Sequence, residues 1–438
     1  MFEKEEKELK NLYDNIQVPI ELLDKAIFTG LEKAKAEEKQ QQTRRRKWLV
    51  LSTTVAVILI GFFTSVRLSP AFAHYISAFP GMEKVIELIA ADKGRMQAVE
   101  NDYYQKVDVS QEKNGLKFTV DGVIADENGL VLFYTVSSKE KQTRFETGDV
   151  QLSSLDGGNL DLSSTLTGGV TYTDKGENSH SDMYEFYFKT PLKAKKLELK
   201  AFAKGNSQKE EFTLRFELNK ELQPKKAYVI NKTVEIEGQK ILFEKAEVYP
   251  LRVAIHLKMD PKNTKKLLNF DDIRLVDEHG ETWNKISNGI TANPISADET
   301  IIYLQSNYFR EPQELYLVLN KIQAVDKGEA FVVVDTKTQQ IQKQPKGNHL
   351  RNLRIEGNEL IFDLHTEKRF SAFPFSTIKD ASGREIQSDH GFTREGDQKG
   401  ITTFGVGIPQ LEKQQNQLSL ELSYYPIWIK GNEKVKIK

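Results

Sequence analysis

The chain predicts a mainly β protein: amphipathic helices at the N-terminus, one transmembrane helix, a helical stalk, then tandem immunoglobulin-like β-sandwiches. Three observations carry this. Trp48 to Val66 is an uncharged apolar run, roughly 28 Å long as a helix and so about as thick as a bilayer's hydrocarbon core. The apolar period before this run is that of a helix, and beyond Tyr103 it is that of a strand. Cysteine is absent from all 438 residues, so the outer modules have hydrophobic cores and no disulfides to hold them.

Residues 1–47 form the tail. Leu9, Leu12, Ile16, Ile20, Leu23, Ile27 and Leu31 recur at steps of three or four and make one helical stripe. Val18-Pro19 interrupts it, because proline suits a first helical turn and disfavours helix at the residue before it. Two short helices follow, near 3–15 and 19–39. A tail this short has no core of its own, so the stripe needs a partner. A second copy in a coiled coil and a protein groove both fit the spacing. An anionic membrane surface fits less well, because glutamates flank the stripe.

The run at 48–66 must be helical in lipid, where the backbone satisfies its own hydrogen bonds. Arg44, Arg45, Arg46 and Lys47 abut one end, with Trp48 at interfacial depth, and only Arg67 stands close beyond the other end. Basic flanks stay cytoplasmic, so the tail lies inside and the rest outside. Ala71-Phe72-Ala73 is a small-x-small candidate cleavage segment. The long charged stretch before the apolar run nevertheless favours an uncleaved signal-anchor.

The stalk, 67–102, starts with Ser69 as cap and Pro70 in a first turn. Phe72, Ile76 and Phe79 share a face, Pro80-Gly81 breaks it, and a second helix turns Met82, Val85, Ile86 and Ile89 inward. The packing expected is against the first outer module or the lipid surface.

Sandwiches are expected at 103–222, 223–342 and 343–438. Leu152, Leu155 and Asp156-Gly157-Gly158 reappear as Ile273, Leu275, Asp277 and Gly280, and again as Ile378, Asp380 and Gly383. An aromatic or apolar strand follows each, and then a proline (Pro191, Pro312, Pro409) with another strand. The Asp and Pro landmarks of the first two sets are separated by one offset (156 to 277, and 191 to 312) and the third set is shorter, as in a structural repeat. Short strands with regular turns point to the immunoglobulin-like sandwich. Asp126-Glu127-Asn128-Gly129 reads as a hairpin turn, since the remaining spacing of a calcium loop is missing.

Chemistry is sparse. The histidines are isolated, and there is no nucleophile elbow, phosphate loop or dinucleotide turn. No enzyme, metal or cofactor is expected. The net charge of −1 gives no field for nucleic acid. Tyr303, Tyr308, Phe309 and Tyr316, or Tyr424, Tyr425 and Trp428, fit sandwich packing better than a glycan-binding face.

Several segments resemble a largely uncharacterised family of single-span Gram-positive membrane proteins. The genes of that family tend to lie beside extracytoplasmic-function sigma factors, and some members act as anti-sigma factors. The matching residues are Asn15-Ile16-Gln17-Val18-Pro19, the basic stop and span, Arg67-Leu68-Ser69-Pro70-Ala71-Phe72-Ala73, and Ile76-Ser77-Ala78-Phe79-Pro80-Gly81-Met82 followed by Val85 to Ile89. The resemblance implies a regulator that holds a cytoplasmic sigma factor with its tail and meets a wall component or protein outside. The alternative is a surface protein whose sandwiches act as spacers or adhesive modules. Many anti-sigma factors carry a His and Cys zinc motif. This tail has neither residue, so binding would fall to bare helices.

Overall fold

The computed structural model describes residues 81–286, 291–367, 369–395 and 400–438. The predicted tail helices, the span at 48–66 and the segment at 71–73 lie outside these residues. Among the described residues no helix is long and apolar enough to cross a membrane. The chain divides into Met1–Glu83 and a compact unit, Lys84–Lys438, and everything below concerns the second.

Two short helices come first. Helix α1 is Glu83–Ile89 and buries Val85, Ile86 and Ile89, the face expected from their spacing. Helix α2 is Lys93–Glu100, capped by Asp92, whose carboxylate accepts the Arg95 N–H at 3.1 Å.

Module one contains β1 (Gln105–Lys113), β2 (Leu116–Ala125), β3 (Gly129–Ser154), β4 (Leu162–Leu166), β5 (Val170–Phe188), β6 (Lys196–Lys204) and β7 (Lys209–Glu217). They form one continuous sheet, where two separate sheets were expected. The order is β1-β2-β3-β5-β4, and β6 joins β3 to β7. The cause is β3, which is 26 residues long. Its first part pairs with β2 and β5 and its last part with β6. The register shifts between Gly148 and Gln151, where Asp149 takes a left-handed φ of 46°. Such a bulge bends a strand and lets it cross from one layer to the other. Phe118, Tyr134, Tyr184, Phe186 and Phe212 fill the space between the layers.

Module two contains β8 (Lys226–Ile236), β9 (Gln239–Val248), β10 (Arg252–Met259), β11 (Lys265–Asp277), β12 (Thr282–Asn284), β13 (Ala292–Pro294), β14 (Glu299–Gln305) and β15 (Leu315–Asp326). Module three contains β16 (Phe331–Asp335), β17 (Gln340–Lys343), β18 (Leu350–Glu356), β19 (Glu359–His365), β20 (Phe375–Asp380), β21 (Glu385–Ile386), β22 (His390–Glu395), β23 (Ile401–Gly407) and β24 (Gln417–Leu422). The last strand, β25 (Trp428–Lys436), returns to module two. Module two stacks β13-β14-β10-β9-β8 on β12-β11-β15-β25, and module three stacks β17-β16-β24-β20-β21 on β18-β19-β23-β22.

One pairing scheme recurs. The pairs β3–β5, β10–β14 and β19–β23 correspond, as do β3–β6, β11–β15 and β20–β24. The repeated landmark is a turn in the second and third copies. Asp277 Oδ1 accepts the N–H groups of His279 and Glu281 at 2.9 and 2.7 Å, and Asp380 Oδ1 those of Ser382 and Arg384 at 3.0 Å. Gly280 and Gly383 follow at φ of 80° and 83°, a conformation suited to glycine. Asp156 differs, binding the N–H groups of Lys195 and Lys196 at the start of β6.

The boundary expected at 342/343 is crossed in both directions. In module one the slot beside β6 is filled by the next strand, β7. The matching slot beside β15 is filled by β25, and β16 moves on to pair with β24. Strand order in the sequence does not reveal this exchange, because β7, β16 and β25 are all short strands that carry inward-facing apolar residues.

Candidate functional site

None of the residues singled out as partner-binding (Leu9, Leu12, Ile16, Ile20, Leu23, Ile27, Leu31), as topology markers (Arg44, Arg45, Arg46, Lys47, Trp48) or as the candidate cleavage segment (Ala71, Phe72, Ala73) lies among the described residues. Within those residues, buried polar groups gather at a joint where α2 meets modules one and two.

Helix α2 supplies Arg95, whose side chain is 1% exposed. Its guanidinium lies 2.8 Å from Glu185 Oε1 and 3.2 Å from Asp92 Oδ2. Glu185 is fully buried on β5, and its other oxygen accepts the Tyr187 hydroxyl at 2.8 Å. A buried charge is tolerated only when it is paired and hydrogen-bonded, and Glu185 has both.

A second cation lies beside the first. Arg252, which opens β10, is 1% exposed. Its guanidinium carbon sits 3.4 Å from the Tyr187 ring centre and 3.5 Å from that of Tyr303. The two rings are nearly parallel, at 8°. Module one thus provides one face of an aromatic clamp and module two the other. Both faces attract the cation electrostatically, most strongly when water is excluded.

The turn at 126–129 closes the joint. Asp126 Oδ1 accepts the N–H groups of Asn128 and Gly129, at 2.8 and 2.7 Å, as in a hairpin turn. Its Oδ2 accepts the Leu251 N–H of module two at 2.9 Å. Asn128 Oδ1 accepts two bonds from Arg252, at 3.1 and 2.7 Å. Burial pushes the Asp126 pKa up to about 6, against the pull of these N–H groups and Arg252.

Module two grips α2 directly. Gln305 donates to the Ala91 carbonyl at 2.9 Å. Lys93 lies 4.6 Å above the Trp283 ring and 2.7 Å from Glu281. Gly94 packs so closely that a Cβ there would stand 2.5 Å from the Ser306 nitrogen.

The aromatic residues divide by position. Tyr303, Tyr308 and Tyr425 are buried and serve packing. Phe309 packs on Tyr103 with ring centres 5.4 Å apart. Trp428 and Tyr316 lie under Lys321 and Lys434. Tyr424 lines a cleft between modules two and three. Sequence reasoning reached Tyr303 as an aromatic and Asp126 as a turn residue but missed Arg95, Glu185 and Arg252. The available signal was Glu185 itself, one carboxylate inside the aromatic run Tyr184 to Phe188.

Comparison with known proteins returns families without an assigned function. Residues 43–138 match a domain of unknown function (DUF4179), and residues 225–356 match a family of unknown function (DUF5643). No curated protein matches. Among solved structures, the chain is similar to a conserved domain protein from Bacillus anthracis, at 16% identity and a TM-score of 0.37, over 55% of this chain and 84% of that one. It is also similar to the C-terminal domain of the antigen I/II-family protein AspA from Streptococcus pyogenes, at 10% identity and a TM-score of 0.14, over 76% and 98%. At these scores neither likeness bears on function.

Proposed function

We propose that the chain is a single-pass membrane regulator: its β modules face outward and meet an envelope signal, and its cytoplasmic tail holds a sigma factor. One observation favours this over the spacer or adhesive alternative. Helix α2 is fixed to module one by Arg95–Glu185, and to module two by Lys93–Glu281 and, just before its cap, by Gln305–Ala91. A spacer needs only tethers between its modules. Passing a displacement from module to helix needs a stiff joint, and a desolvated ion pair with a two-ring clamp supplies one.

On this reading the tail stripe buries its seven aliphatic side chains against the sigma factor. Each contributes about 1.5–3 kcal/mol before ordering costs. The test is capture of a sigma factor by residues 1–47 and its loss in Ile16→Asp and Leu23→Asp. A tail that captures none, or equal capture by the variants, refutes the reading and leaves the spacer. Coupling is read separately, by a sigma-dependent reporter in cells carrying Arg95→Met at normal surface level. The reporter is expected to lose its response to envelope stress.

A further inference from the structure

Modules two and three enclose a cleft of about 430 Å³, within the range of about 300–1,000 Å³ common for small-ligand sites. Phe270, Ile302 and Tyr424 are among its lining residues, Tyr424 being partly buried against the core of module three. Hydroxyls from Thr300, Ser376 and Ser423 line it, as do the Asn269 amide and the Lys285 amine. The charges around it are mostly spent. Lys266 pairs with Glu421, and Glu299 lies 3.0 Å from Lys258. Asp271, behind the cleft, accepts hydrogen bonds from Asn269, Gln323 and Trp428.

Lys285 is the exception. Its amine donates to Asn269 Oδ1, a neutral acceptor, and among the described residues no carboxylate lies within ion-pair distance of it. The residue is half-buried, and burial draws its pKa below the ordinary lysine value, with Asp271 opposing. A partly desolvated ammonium with one neutral partner keeps donors free for an anionic oxygen. An aromatic lining residue, several hydroxyl-bearing side chains and an amide suit a sugar ring, which offers an apolar face and an edge of hydroxyls.

We propose that this cleft binds a saccharide unit bearing one anionic group, with Lys285 on the anion and Tyr424 against the ring. The inference deepens the outward-facing sensor reading, but its test is independent of the sigma factor.

The full-length chain is titrated calorimetrically with three probes that share one ring: N-acetylmuramic acid, N-acetylglucosamine 6-phosphate and N-acetylglucosamine. At least one anionic probe should bind about tenfold or more tighter than the uncharged one. Which anion binds distinguishes a carboxylate from a phosphate ligand. Lys285→Gln should remove that preference. Ser376→Trp, at an exposed position on the rim, should block all binding while leaving the amine in place. Binding of none of the probes, equal binding of all three, or binding unchanged in Ser376→Trp overturns the proposal. If tail capture fails while anionic sugars bind here, the sigma-factor reading alone falls.

Discussion

Arg95 meets Glu185 at 2.8 Å with both side chains at 1% exposure or less, and this pair joins a helix to a sheet through a charge contact where an apolar one is usual. Removing one partner strands the other in low dielectric. Arg95→Met or Glu185→Leu should each cost about 3–5 kcal/mol, and the double variant Arg95→Met with Glu185→Leu should recover most of that loss. Urea unfolding of the four proteins of the cycle measures this. Additive losses in the double variant would show that the pair is not coupled.

Such a pair is hard to read from sequence. Arg95 sits in Lys-Gly-Arg-Met-Gln, which looks like the solvated face of a short helix. Its burial depends on β5 and β14, which lie far along the chain. The α1 face was legible because Val85, Ile86 and Ile89 obey local helical spacing. The turns at Asp277 and Asp380 were legible because each is closed within five residues. The aspartate of 126–129 was legible as a turn, but its second oxygen serves Leu251, 125 residues away. Local pattern therefore recovered the β character and these turns, and it did not recover which module each strand completes.

The exchange of β16 and β25 gives a second prediction. Ile429, Val435 and Ile437 belong to the core of module two, although they follow module three in the chain. Ending the chain after residue 426 should expose β15 as an unpaired edge and strip module two of those three side chains. Val435→Asp should destabilise module two by several kcal/mol through burial of an unpaired charge. Hydrogen exchange resolves the outcome by module: β9, β10 and β15 should lose protection first. Equal loss across β19 and β23 would contradict the assignment of β25.

Acid should loosen the outer face of β9 and β10. Glu247 accepts from His256 at 2.8 Å and lies 2.8 and 3.1 Å from Lys225 and Lys245. The His256 bond foremost, with the two lysines, holds its carboxyl far below the ordinary 4.5. A carboxyl depressed in the folded state stabilises fully above its unfolded pKa, and that stability is lost as pH falls through the folded value. The urea midpoint should therefore drop from pH 6 to pH 3, and Glu247→Gln should flatten this slope with little change in shape above pH 6. An unaltered slope in the variant would place the acid sensitivity elsewhere.

Gly94 separates close approach from charge at the joint. It is the second residue of α2 and not at a positive φ, so Gly94→Ala should gain at most about 1 kcal/mol of helix propensity. Against that, the new Cβ would stand 2.5 and 2.8 Å from the backbone nitrogen and oxygen of Ser306, atoms that cannot swing aside. Overpacking of this kind costs about 1–3 kcal/mol, so the net change is expected to be destabilising. Gly94→Leu should push α2 off β14 and break the Gln305–Ala91 bond while leaving the Arg95–Glu185 ion pair in place. Exchange at the amides around Ser306 should then rise while that of β5 stays slow. A stabilised Gly94→Ala protein would mean that α2 and module two do not approach this closely in solution.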